Sequence, residues 1–134
     1  MTRRILIADD ERMIADTLAT IVGLHGFEAR TAYDGRQAVE TARQWRPHIL
    51  LTDVLMPVMD GIEAAIAVCR ILPDCRVVLL SGVSTIADLA GELEGQGYAF
   101  EILRKPMPPE ELVACLWKSE DAVEGMRSGG GGRA

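Results

Sequence analysis

Short apolar runs recur along this chain at intervals of a few tens of residues: ILIA at 5–8, HILL at 48–51, VVLL at 77–80 and FEIL at 100–103. β-Branched residues and leucine dominate them, as in strands buried on both faces of a sheet. A weaker strand, FEARTAY at 27–33, follows Gly26. The segments between these runs have helical spacing. In 11–25 the apolar stripe is Met13, Ile14, Leu18, Ile21 and Val22, closed by Gly26 as a C-terminal cap. In 35–46 it is Ala38, Val39, Ala42 and Trp45, and Pro47 forbids continuation. Further helices fit 61–72, 84–96 and 108–122, the last opened by Pro108, Pro109 and two glutamates. Strand and helix thus alternate five times. Such an order predicts an α/β fold: one parallel sheet with helices on both faces, joined by right-handed crossovers.

A length of 134 residues suits a single domain with a real core, and 49% hydrophobic content argues against disorder. The domain is expected over 3–122, followed by a flexible Gly-rich tail at 123–134. Twenty acidic residues against 14 basic ones give a net charge of −6, which disfavours general nucleic-acid binding. No apolar run approaches a membrane span. The start, MTRRILIADD, is basic and then apolar, but acids interrupt it too early for a signal peptide. Cys69, Cys75 and Cys115 show neither a disulfide framework nor metal-ligand spacing, and read as small buried hydrophobes on helices. A reducing cytoplasm is the expected compartment.

Open parallel sheets bind ligands at the carboxyl ends of their strands, where strand order reverses. The first strand here runs into Asp9, Asp10 and Glu11, and the third into Thr52 and Asp53. The fourth runs into Ser81 and Gly82, and the fifth into Arg104, Lys105 and Pro106. If the first and third strands are neighbours, Asp9, Asp10 and Asp53 converge, and their mutual repulsion calls for a cation. Mg²⁺ suits such a set, taking one or two carboxylates together with waters and phosphate oxygens. An aspartate is also a nucleophile that forms an aspartyl phosphate. Phosphoryl transfer asks mainly for positioning and for charge neutralisation around the peripheral oxygens. Asp53 is the expected acceptor, with Mg²⁺, the Lys105 ammonium and the Ser81 hydroxyl around the transferred group.

ILIADDE, LLTDVLMPVMDG, VVLLSG and ILRKP, in this order and spacing, resemble the receiver domain of bacterial two-component response regulators. The resemblance covers nearly the whole chain up to the tail. It implies the CheY-like, flavodoxin-like fold, with strand order 2-1-3-4-5 and five helices; CheY is itself an instance of the switch-point rule. It implies that Asp53 accepts a phosphoryl group from a phosphohistidine on a sensor histidine kinase or a histidine phosphotransfer protein. Asp10, Asp53 and the backbone carbonyl of Leu55 would hold Mg²⁺, with Asp9 acting largely through a bound water. Lys105 would pair with the phosphoryl group, Ser81 would hydrogen-bond it, and the Lys105–Pro106 peptide would be cis. A stand-alone cytoplasmic receiver is the expected product, monomeric or dimerising on phosphorylation, with a downstream protein target that the motifs do not specify.

Two departures from the family pattern bear on output and lifetime. Ile102 stands where receivers usually place an aromatic residue, and Phe100 lies on the same face roughly 7 Å further down the strand. Leu55 and Val83 stand where other receivers place residues that tune phosphoryl lifetime, and neither can orient an attacking water. Aspartyl-phosphate phosphatases need a second acid two residues beyond the nucleophile, a position that Leu55 fills, so external turnover is not expected. The alternative reading is a receiver-like docking module that binds its partner without phosphorylation. Asp60 is expected to cap the helix at Gly61, while His25, His48, Trp45 and Trp117 are expected to be structural.

Overall fold

The computed structural model describes residues 2–82 and 86–117. The tail at 123–134, Val83, and the predicted helical residues 84–85 and 118–122 lie outside the described residues. The elements are β1 (Arg3–Ala8), α1 (Arg12–Leu24), β2 (Phe27–Ala32), α2 (Gly35–Trp45), β3 (Ile49–Asp53), α3 (Gly61–Ile71), β4 (Arg76–Ser81), α4 (Ile86–Gly95) and β5 (Glu101–Arg104). A fifth helix, α5, is described over 109–117. All strand pairs are parallel, in the order β2-β1-β3-β4-β5. The expected fold class and strand order are therefore observed.

Alternation along the central strands sorts their side chains into two layers. Leu6, Ala8, Leu50 and Leu79 face a core built with Ala38 and Ala42 of α2, Ala64, Ala65 and Val68 of α3, and Leu93 of α4. Ile5, Ile7, Ile49, Leu51, Val78 and Leu80 face the other, built with Ala15 and Val22 of α1 and Leu112, Val113 and Leu116 of α5. The three inner strands are buried on both sides, which explains their unbroken apolar runs. β2 and β5 are sheet edges, and their sequences are accordingly mixed.

Local chemistry fixes the helix ends. Asp34 caps α2 by accepting from Gln37 N at 2.8 Å. Asp60 and Glu63 form a reciprocal capping box on α3, as expected of Asp60. Arg46, before Pro47, turns left-handed at φ 55°, and α2 stops there. Gly26, just past α1, has φ 99°, a value that suits glycine.

Three sequence expectations shift. The inner stripe of α1 is Ala15, Leu18, Ala19 and Val22, while Met13 is 81% exposed and Ile14 also faces solvent. Met13 lies about 200° around the helix from Ala15 at 100° per residue, so both cannot face the sheet. Cys75 is in the turn before β4 rather than on a helix, where burial pushes its thiol pKa up to about 12. β5 begins at Glu101, so Phe100 precedes the strand, although Phe100 and Ile102 do pack on the same core layer. The tryptophans are structural as expected. Trp117 stacks at 4.4 Å on Phe27 and donates to the His25 carbonyl at 3.2 Å.

His48 joins β3 to β1, its Nδ1 accepting from Arg4 N at 2.9 Å. Burial, then the charges of Arg3 and Arg4, hold its pKa below the ordinary 6.5. The folded state therefore binds fewer protons than the unfolded chain just below that value. Its contribution to stability is intact above pH 6.5 and is lost as pH falls from 6.5 through the lower folded pKa. His48→Asn retains an acceptor without a titrating ring, and urea denaturation should show a shallower loss of stability below pH 6.5 than wild type.

Candidate functional site

The register brings the strand ends together. Ala8 pairs with Thr52, so Asp9 and Asp53 leave neighbouring strands side by side. Ser81 pairs with Arg104, which sets Lys105 just beyond the end of β4. Lys105 N donates to the Ser81 carbonyl at 2.9 Å, extending the ladder by one bond. The Lys105–Pro106 peptide is cis.

At this edge one carboxylate oxygen from each of Asp9, Asp10 and Asp53 lies within 4.8 Å of the other two. Asp9 is buried, Asp53 half-buried and Asp10 exposed. Lys105 reaches in from β5 with Nζ 3.0 Å from Asp53 Oδ1, the two side chains being 31% and 14% exposed. Ser81 is buried beside them at the end of β4.

Burial raises the Asp9 pKa above 3.8, and the Asp53 and Asp10 charges push it the same way. A hydrogen bond from Glu11 N at 3.0 Å and the Lys105 charge oppose that shift without cancelling it. Three carboxylates meet one lysine here, a formal deficit of positive charge. That deficit, with the all-oxygen donor set, fits a hard divalent cation.

The loop after β3 forms the rim of the site. Val54 N donates to the Leu80 carbonyl at 3.1 Å, and Gly61 N donates to the Val54 carbonyl at 2.7 Å. A β-carbon at Gly61 would overlap the Asp53 carbonyl, so only glycine lets α3 start this close to β3. Val58 has φ 70° in a tight turn closed by Met59 N donating to the Pro57 carbonyl at 2.7 Å. A β-branched residue is strained there. Valine argues against a positive φ, so residue type alone hides this turn; the Pro57–Val58–Met59–Asp60–Gly61 spacing is its one signal in the sequence. Leu55 is 67% exposed on the same loop.

Residues 5–116 match the family described as Response regulator receiver domain. The chain belongs to that family. The receiver is 34% identical over 117 residues to the DNA-binding response regulator MtrA of Mycobacterium tuberculosis, covering 85% of this chain and 49% of MtrA. It spans about half the length of the curated relatives it matches. Among solved structures, it resembles a two component transcriptional regulator AraC from Clostridium phytofermentans (TM-score 0.76, 34% identity, 95% of this chain and 98% of that one). It also resembles the Vibrio cholerae chemotaxis protein CheY4 (TM-score 0.79, 29% identity, 88% and 98% covered). Among the described residues, no helix of the receiver is long and apolar enough to cross a membrane.

The strain at Asp9 is measurable without any ligand. Asp9→Asn removes the buried charge while retaining the oxygen that accepts from Glu11 N. In chelator-treated protein this variant should melt on the order of a few degrees higher than wild type by circular dichroism. A lower melting temperature would contradict a cost of burying the Asp9 charge.

Proposed function

We propose that this receiver is a phosphoacceptor switch in which Asp53 takes a phosphoryl group from a phosphohistidine of a sensor histidine kinase or histidine phosphotransfer protein. The observation that supports this most directly is Lys105 Nζ at 3.0 Å from Asp53 Oδ1 within a three-carboxylate cluster. Asp10, Asp53 and the Leu55 carbonyl would hold Mg²⁺, with Asp9 acting largely through a bound water, and the ion would supply charge neutralisation for the phosphoryl oxygens. Asp53 attacks phosphorus through a carboxylate oxygen, the P–N bond breaks, and its electron pair returns to the donor imidazole. Lys105 then exchanges its carboxylate partner for a phosphoryl oxygen, and the Ser81 hydroxyl donates to another. Because Ser81 and Lys105 are at the ends of β4 and β5, their movement toward the phosphoryl group alters the surface formed by α4 and β5.

The same reading makes the protein a cytoplasmic signalling module rather than a metabolic enzyme. Its output goes to a protein partner rather than to nucleic acid, in keeping with a net charge of −6.

Intact mass after treatment with acetyl phosphate tests the acceptor. Wild type with Mg²⁺ should gain one phosphoryl group, whereas Asp53→Ala and chelated wild type should gain none. An adduct that survives in Asp53→Ala would overturn the assignment. Absence of any adduct would favour the phosphorylation-independent docking module.

Leu55 projects into solvent two residues beyond the acceptor and offers water no hydrogen bond. Leu55→Asn should shorten the lifetime of the phosphoprotein by about tenfold, by orienting the attacking water. Loss of the adduct followed by mass over time measures this directly.

A further inference from the structure

A cavity of about 780 Å³ opens at the other end of the sheet, where the strands begin. It is separated from the acidic site by the length of β4, roughly 17 Å for six residues. Its volume is in the range of small-molecule sites. Four arginines line it (Arg3, Arg4, Arg46 and Arg76) against two carboxylates, Asp74 and Glu101. This is a concentration of positive charge in a chain of net charge −6.

The hydrogen bonds show which of these charges are already engaged. Arg76 is held by both oxygens of Glu101, at 2.6 and 2.9 Å, and donates to the Leu116 carbonyl. That pair is a structural clamp. Arg4 is different: it donates one Nη2 bond to the Arg46 carbonyl at 2.6 Å and lies 5.8 Å from the Trp45 ring centroid. Among the described residues its Nε is buried without a hydrogen-bond partner, so the guanidinium can meet a ligand only through its outer nitrogens. Arg46 is exposed at the rim, its backbone left-handed at φ 55°.

His48, between them, is kept neutral in part by Arg3 and Arg4, which indicates a positive local potential. Because Nδ1 accepts from Arg4 N, its other ring nitrogen is the N–H donor. The opposite wall holds Tyr98 and Phe100, with ring centroids 5.2 Å apart. Guanidinium groups at one side and aromatic rings at the other suit a molecule with phosphates at one end and a flat group at the other.

We propose that this cavity binds a small phosphorylated anion of nucleotide size, its phosphates on Arg4 and Arg46 and its planar group against Tyr98 and Phe100. The site is independent of phosphoryl transfer at Asp53.

Calorimetric titration of the full chain with pyrophosphate and with ADP tests it. Chelator and the Asp53→Ala background keep the acidic edge from contributing. Saturable binding is expected for both probes, weakening as salt rises, with ADP tighter because the rings contribute. Arg46→Asn, at an exposed position where asparagine tolerates the left-handed backbone, should weaken binding by about tenfold, the loss expected for one charge-assisted contact. Arg4→Gln should do the same. Arg43→Gln, on the exposed face of α2 and outside the cavity, should leave affinity unchanged. Absence of saturable binding, or binding that is indifferent to Arg46→Asn, or an equal loss in Arg43→Gln, would overturn the proposal.

Discussion

Three carboxylates at one sheet edge repel each other, and the single ammonium of Lys105 answers only part of that repulsion. The rest of the architecture follows from holding this unfavourable cluster in place. β1 and β3 must be neighbours for Asp9 and Asp53 to meet, and β4 and β5 must be in register for Lys105 to reach Asp53. Burial on both faces makes the three inner strands stiff enough to resist the separation that the charges favour. Keeping the cluster assembled costs stability, which suits the proposed role of this edge in taking up a cation and a phosphoryl group.

The loop from β3 to α3 shows how tightly the backbone is drawn around that edge. Gly61 touches the Asp53 carbonyl region, Val58 accepts a left-handed conformation, and the Asp60–Glu63 box starts α3 immediately afterward. Each feature shortens the path from strand to helix, which keeps Leu55 and its neighbours at the rim instead of folding over it. An open rim suits the proposed phosphohistidine donor, whose imidazole would have to approach in line with an Asp53 oxygen.

Most of the fold was legible because the inner strands carry unbroken apolar runs and the helix ends carry proline, glycine and aspartate at positions that allow few conformations. The acidic site was legible for the same reason: strand ends fix where Asp9, Asp10, Asp53, Ser81 and Lys105 must be. The inner face of α1 was not. Alanines 15 and 19 pack there, while the larger Met13 and Ile14 face solvent, so size misled where angle around the helix would have decided. Val58 was illegible because propensity and observed backbone disagree. The basic cavity was hidden in a subtler way. Its arginines come from strand starts and from the loop after α2, which converge only once the strand order is known.

That strand order gives the molecule a polarity that its net charge conceals. Parallel strands place all of their starts at one end and all of their finishes at the other. Arginines at the starts of β1 and β4 and acids at the finishes of β1 and β3 therefore separate into opposite poles. Ile102 lies between these poles on the layer that also receives Phe100 and Tyr98. A β-branched side chain there has fewer rotamers to exchange than an aromatic ring that swings between solvent and core. In the proposed switch, a change at Lys105 would therefore pass to the α4–β5 surface through a shift of β5 itself rather than through a side-chain flip at Ile102.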